Sequence, residues 1–138
     1  MANATKSGAA PLVRAVYQRL NVAAITTTLG AGVYSDVPQG AVLPYVRIET
    51  EASETWSTMG APGEQLIVST HIFATRERTV DDIVDAIVGR LDGYALVVTG
   101  FSVWGVLYER VHRGEDEIIN GVKTFHKIPT FRVFLREA

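Results

Sequence analysis

Apolar residues recur at helical spacing in two stretches of this chain and alternate with polar ones in several others. Leu12, Val13, Val16, Tyr17 and Leu20 share one helical face, with Arg14, Gln18 and Arg19 on the other. They predict a helix beginning near Pro11, a residue suited to a first turn, with Ser7 as a candidate cap. The residues before it, Met1 to Ala10, are small and polar and are expected to fray. Val22 to Leu29 would continue as a second short helix, although Thr26 to Thr28 are poor helix formers, and Gly30 and Gly32 end it. The second strong stripe is Val80, Ile83, Val84, Ile87, Val88 and Leu91. Thr79 is its candidate cap, Asp81 and Asp82 suit its positive end, and Asp92-Gly93 closes it.

Between and after these helices the period drops to two. Tyr45 to Glu51 sets Val46 and Ile48 against Tyr45, Arg47, Glu49 and Glu51, the pattern of a strand with one buried face. Gln65 to Ala74 is apolar on both faces and reads as a central strand. Tyr94 to Thr99 and Phe101 to Arg113 read as strands, the latter bulged at Gly105. Gly114 to Gly121 is a hairpin tip with Asn120-Gly121 as its turn signal. Val122 to Arg136 is the last strand, with Phe131, Val133 and Leu135 inward and Pro129 marking an edge or bulge. Two irregular segments remain: Val33 to Ile48 opens with a tight loop containing Asp36, Pro38, Gly40 and Pro44, and residues 52–64 form a long loop carrying Trp56 and Met59. The order of elements predicts one α+β domain over residues 1–138: an antiparallel, or mixed, sheet of about four to five strands with helices packed on one face.

Composition narrows the function classes. At 138 residues with 47% hydrophobic content the chain can bury a core as one domain. No apolar run approaches the roughly 20 residues of a membrane span, and the N-terminal residues do not read as a secretory signal. The absence of cysteine removes disulfides and thiolate metal sites. A net charge of −2 gives no broad surface for nucleic acid.

Catalytic constellations are hard to find. His71, His112 and His126 fall on predicted strands; His112 and His126 could face each other across the final hairpin, giving two ligands at most, and no cofactor is expected. The serines lack an elbow motif, and Gly30-Ala31-Gly32 lacks the strand and the following lysine of a phosphate loop. Acids cluster at Glu49, Glu51 and Glu54 and at Glu115, Asp116 and Glu117; both clusters read first as solvated surface. Trp56 and Met59 suit a protein contact, with Ser53 and Glu54 beside them; the alternative is that Trp56 plugs the domain's own core.

The run VYSDVPQGAVLPYVRIE resembles the tail-completion or tail-terminator proteins of long-tailed bacteriophages and related gene-transfer particles. Val33, Tyr34, Asp36, Val37, Pro38, Gly40, Leu43, Pro44, Tyr45 and Val46 carry the motif, and Tyr34, Pro38, Gly40, Pro44 and Tyr45 are its scaffold positions. LIVSTHIFA around His71, the helix VDDIVDAIVGRLDG and the closing strand pair extend the likeness from Pro11 to the end. The tip GEDEIING departs from the more basic hairpin usual in that family.

The resemblance implies a structural, non-enzymatic virion protein at the junction of tail and neck, assembled in the host cytoplasm. Such a subunit would form a ring, commonly a hexamer, on the last ring of the tail tube protein, end polymerisation, and offer a surface to the head–tail connector or stopper; the tape-measure protein is a further expected neighbour. DNA would pass the lumen without specific binding, and no membrane is involved. Glu49, Glu51 and Glu54, or Glu115, Asp116 and Glu117, are the acids expected to line that lumen. Trp56, Met59, Ser53 and Glu54 are the expected subunit or tube contact. A neck adaptor or stopper, and a small ligand-binding or enzymatic α+β domain, are the alternatives.

Overall fold

The structure, a computed structural model, describes residues 8–58 and 61–137, and describes side chains within them except at 52–62 and 137. The elements run α1 (Ala9–Leu20), α2 (Ala23–Thr26), β1 (Gly32–Tyr34), β2 (Tyr45–Thr58), β3 (Ala61–Ala74), α3 (Glu77–Leu91), β4 (Phe101–Arg113), β5 (Glu117–Ile119) and β6 (Val122–Glu137). They form the expected α+β fold, with a six-stranded sheet in the order β1-β2-β3-β6-β4 and β5 paired to β6 alone. All pairs are antiparallel except β1 with β2, so the sheet is mixed.

The helices cover one face. Leu12, Val16 and Leu20 of α1 and Val80, Ile83, Ile87 and Leu91 of α3 are buried against Val46, Ile48, Leu66, Val68, Ile72, Phe131, Val133 and Leu135 of the sheet. Each such side chain contributes about 1.5–3 kcal/mol by leaving water. The predicted stripes are the buried ones, with Tyr17 turned outward at the margin. β3 is central, as its two apolar faces predict.

Several expectations need correcting. Val33 and Tyr34 are not loop but part of β1, a three-residue strand that exists because it pairs in parallel with Tyr45, Val46 and Arg47. The remainder of the motif, residues 35–44, carries the chain back to the start of β2: Pro38 O accepts the N–H of Ala41 across a turn with Gly40 at φ 81°, and the Leu43–Pro44 bond is cis. The predicted loop over 52–64 is largely strand, since Glu54 to Thr58 pair with Ala61 to Gln65 in one long hairpin, with a bulge at Ser53. Cross-strand pairing there outweighs a Ser, Thr, Gly and Pro composition that disfavours strand locally.

Tyr94 to Thr99 forms no strand; it follows α3 as irregular chain alongside β4, with Gly93 N–H donating to Val106 O and Tyr108 N–H to Asp92 Oδ1. α3 starts at Glu77, ahead of Thr79, with Arg76 in the capping position. β6 lies inside the sheet, so Pro129 is not at an edge. The β3–β6 ladder instead skips Thr70/Pro129 and His71/Ile128, where Pro129 has no N–H to donate, and the Thr70 hydroxyl donates to Pro129 O at 2.9 Å. The tip is narrower than expected: Glu117–Ile119 is strand, and Asn120 and Gly121, at φ 54° and 78°, make the turn.

One buried carboxylate ties the layers together. Glu64 on β3 accepts the N–H of Gly8 at 2.7 Å, meeting the positive start of α1; the expected cap, Ser7, lies outside the described residues.

Candidate assembly surfaces

The sheet face away from the helices carries an aromatic ladder across four strands. Tyr34 on β1 meets Tyr45 on β2 edge-on at 6.2 Å; Tyr45 meets Phe73 on β3 at 5.2 Å; Phe73 stacks on His126 of β6 at 4.2 Å; His126 and His71 stack at 5.2 Å. Register explains it, because Tyr45 pairs with Phe73 and Phe73 with His126. Two glycines leave room for its outer rings. A Cβ at Gly114 would run into the His126 ring, and one at Gly32 would lie 2.8 Å from the Tyr34 hydroxyl oxygen. Two scaffold positions of the motif, Tyr34 and Tyr45, are thus the first rungs.

His71 Nδ1 and His126 Nε2 are 3.0 Å apart, so the pair is His71–His126 rather than the expected His112–His126. His112 instead pairs with Ile128 in register and accepts from Arg110 Nε at 2.9 Å. Burial, with Arg47 and His126 nearby, lowers His71 to about 4, and burial likewise lowers His126. Burial and the Glu117 charge raise Tyr45. Among the described residues no group of three metal-ligating side chains comes together.

The candidate acids separate. Glu49 lies on the open face, 2.8 Å from Arg47 Nη1 and 3.7 Å from His71 Nε2. Glu51 is exposed two residues on. Asp116 reaches Arg113 at 3.6 Å, and Arg113 reaches Glu77 on α3 at 3.1 Å. Glu115 and Glu117 are exposed without an ion pair among the described residues. The side chains of Ser53, Glu54 and Trp56 lie outside what is described, as does Met59 entirely.

The two ends of the sheet are unlike. β1 covers only Tyr45 to Arg47 of β2, so from Ile48 onward no strand lies beside the outer edge of β2 among the described residues. At the other end, Asp92 and Gly93 occupy part of the β4 edge, yet Trp104, Leu107 and Tyr108 stay 57%, 54% and 38% exposed. Three large apolar side chains on one edge strand are a feature of contact surfaces. The strand itself is legible in the sequence, but these three side chains do not stand out there because its alternation is broken by bulges at Trp104 and Glu109.

Comparison with known proteins agrees with this fold. Among solved structures, a chain of the "Virion of native gene transfer agent (GTA) particle" superposes with a TM-score of 0.76 at 20% identity, covering 94% of this chain and 96% of that one. No curated protein is similar enough to match. No described helix is long and apolar enough to cross a membrane. The family profile described as Tail completion protein gp17 matches residues 14–136, from the first turns of α1 to the end of β6, and the chain therefore belongs to that family of structural proteins of the phage-type virion tail.

Proposed function

We propose that this protein is the tail terminator: a subunit that closes into a ring on the last ring of the tail tube, stops its growth and presents a docking surface to the head connector. The observation that carries this reading is the unlikeness of the two sheet ends, with a β2 edge that no strand covers beyond Arg47 among the described residues and exposed Trp104, Leu107 and Tyr108 on β4. A closed cyclic assembly needs two different surfaces on each subunit that fit one another. Addition of a strand is open at β2, whereas β4, its edge partly occupied by Asp92 and Gly93, would contribute side chains. Glu49 and Glu51, interleaved with Arg47 on the open face, are our proposed lumen residues, giving passing phosphates little to hold.

The test adds the purified chain to polymerising tail tubes. Tubes should stop growing and carry this chain as a ring at one end, and Leu107→Lys should abolish both effects while the variant stays folded. A chain that never leaves the monomeric state and leaves tube growth unchanged overturns the reading.

A further inference from the structure

We propose that Arg19 and Arg90 form a receptor for the acidic hairpin tip of a second copy of this chain, an inference that rests on the ring reading above. The two arginines are locked to each other's helices: Arg19 Nε donates to Arg90 O and Arg90 Nε to Arg19 O, both at 2.8 Å. The helix C-terminal carbonyls supply the partial negative charge that lets two cations sit side by side. Arg19 also lies over the Tyr94 ring, with its guanidinium carbon 3.5 Å from the centroid. Together with Gln18 and Leu96 these residues line an open cavity of about 240 Å³.

Neither guanidinium has a carboxylate within 4.0 Å among the described residues, in contrast to Arg47, Arg113 and Arg132. With each Nε engaged, the terminal nitrogens of two planar forks remain for an oxyanion, and a carboxylate matches their geometry. A positioned pair of unneutralised arginines in a cavity is a binding arrangement, not a solvated face.

The chain carries a matching group that it cannot deliver to itself. Glu115, Asp116 and Glu117 lie at the far end of α3, where Arg113 links Asp116 to Glu77 in the first turn of that helix. Arg90 lies in its last turn. Glu77–Leu91 is 15 residues, roughly 22 Å of helix, so the tip and the cavity of one copy are held apart. Acid at one end and paired arginine at the other make two unlike, complementary patches, the requirement for copies joined head to tail. Glu115 and Glu117, with no cation partner among the described residues, are the residues assigned to the contact.

Assembly of wild type, in solution or on tube ends, is compared with Glu115→Lys/Glu117→Lys, with Arg90→Asp, and with a chain carrying all three changes. Thermal melts accompany each variant. The tip variant, altered only at exposed positions, should need at least tenfold more protein to assemble, and the combined chain should recover part of that loss. Unchanged assembly of the tip variant overturns the proposal and leaves the ring reading standing. Loss at the tip with no recovery in a folded combined chain also overturns the arginine assignment. Should the combined chain fail to fold, wild-type affinity in Arg90→Lys, which keeps the charge but not the fork, would overturn it. Wild type that neither self-associates nor binds tube ends overturns both readings.

Discussion

His126 Nε2 lies 3.0 Å from Nδ1 of His71, on a sheet face where Arg47 and Glu49 from β2 and Glu117 from β5 supply the neighbouring charges. The arrangement best satisfied has His126 donating to His71 and His71 Nε2–H turned toward Glu49 Oε2, 3.7 Å away. Nδ1 of His126 then keeps a buried lone pair against Gly114. A third ring proton on this pair has no buried acceptor.

Acid should therefore weaken the fold before ordinary carboxylates titrate. His71 titrates near 4 when folded and at its usual 6.5 when unfolded, so the unfolded chain binds more protons between those values. Stability is complete above pH 6.5 and falls as pH drops toward 4, by on the order of 3 kcal/mol. Thermal melts across that window check it, and His71→Gln should flatten the slope; an unchanged slope in that variant refutes the assignment.

Gly114→Ala should destabilise by about 1–3 kcal/mol, because the added methyl enters the His126 ring and must displace it. His126→Ala in the same chain should recover much of that loss, a coupling that denaturant titration of the four chains measures.

Glu64→Ala should lower stability by about 1–2 kcal/mol, since it strips the Gly8 N–H of its acceptor at the start of α1. Glu64→Gln keeps an acceptor oxygen and should lose less. Melting temperatures of the two variants separate the hydrogen bond from the charge.

Trp56→Ala should weaken assembly more than folding, given that residues 54–58 belong to a hairpin at the edge of the sheet. Intact assembly with a collapsed melting temperature would instead assign Trp56 to the core.

How far the sequence speaks depends on the range over which each feature is decided. The α3 stripe, the Asn120-Gly121 turn and the alternation of Tyr45 to Glu51 are decided within a few residues, and all three stand in the structure. β1 is too short to leave a pattern, being created by its neighbour Tyr45–Arg47. Strand pairing over 54–65 is a property of two segments together, invisible in the turn-like composition of either. The contacts that define the surfaces are longer still: His71 to His126 spans 55 positions and Arg19 to Arg90 spans 71. No periodicity reports a register of that kind.

The bond between Glu64 and Gly8 joins the long β2–β3 hairpin to the first turn of α1, 56 positions away in sequence. Bending that hairpin sideways must therefore drag on the helix, and the helix is bedded on the sheet through Leu12, Val16 and Leu20. The hairpin is braced close to its turn end, where Glu64 pairs with Thr55, three pairs in from Thr58 and Ala61. A force applied at that end is carried into the body of the subunit instead of being absorbed at a hinge.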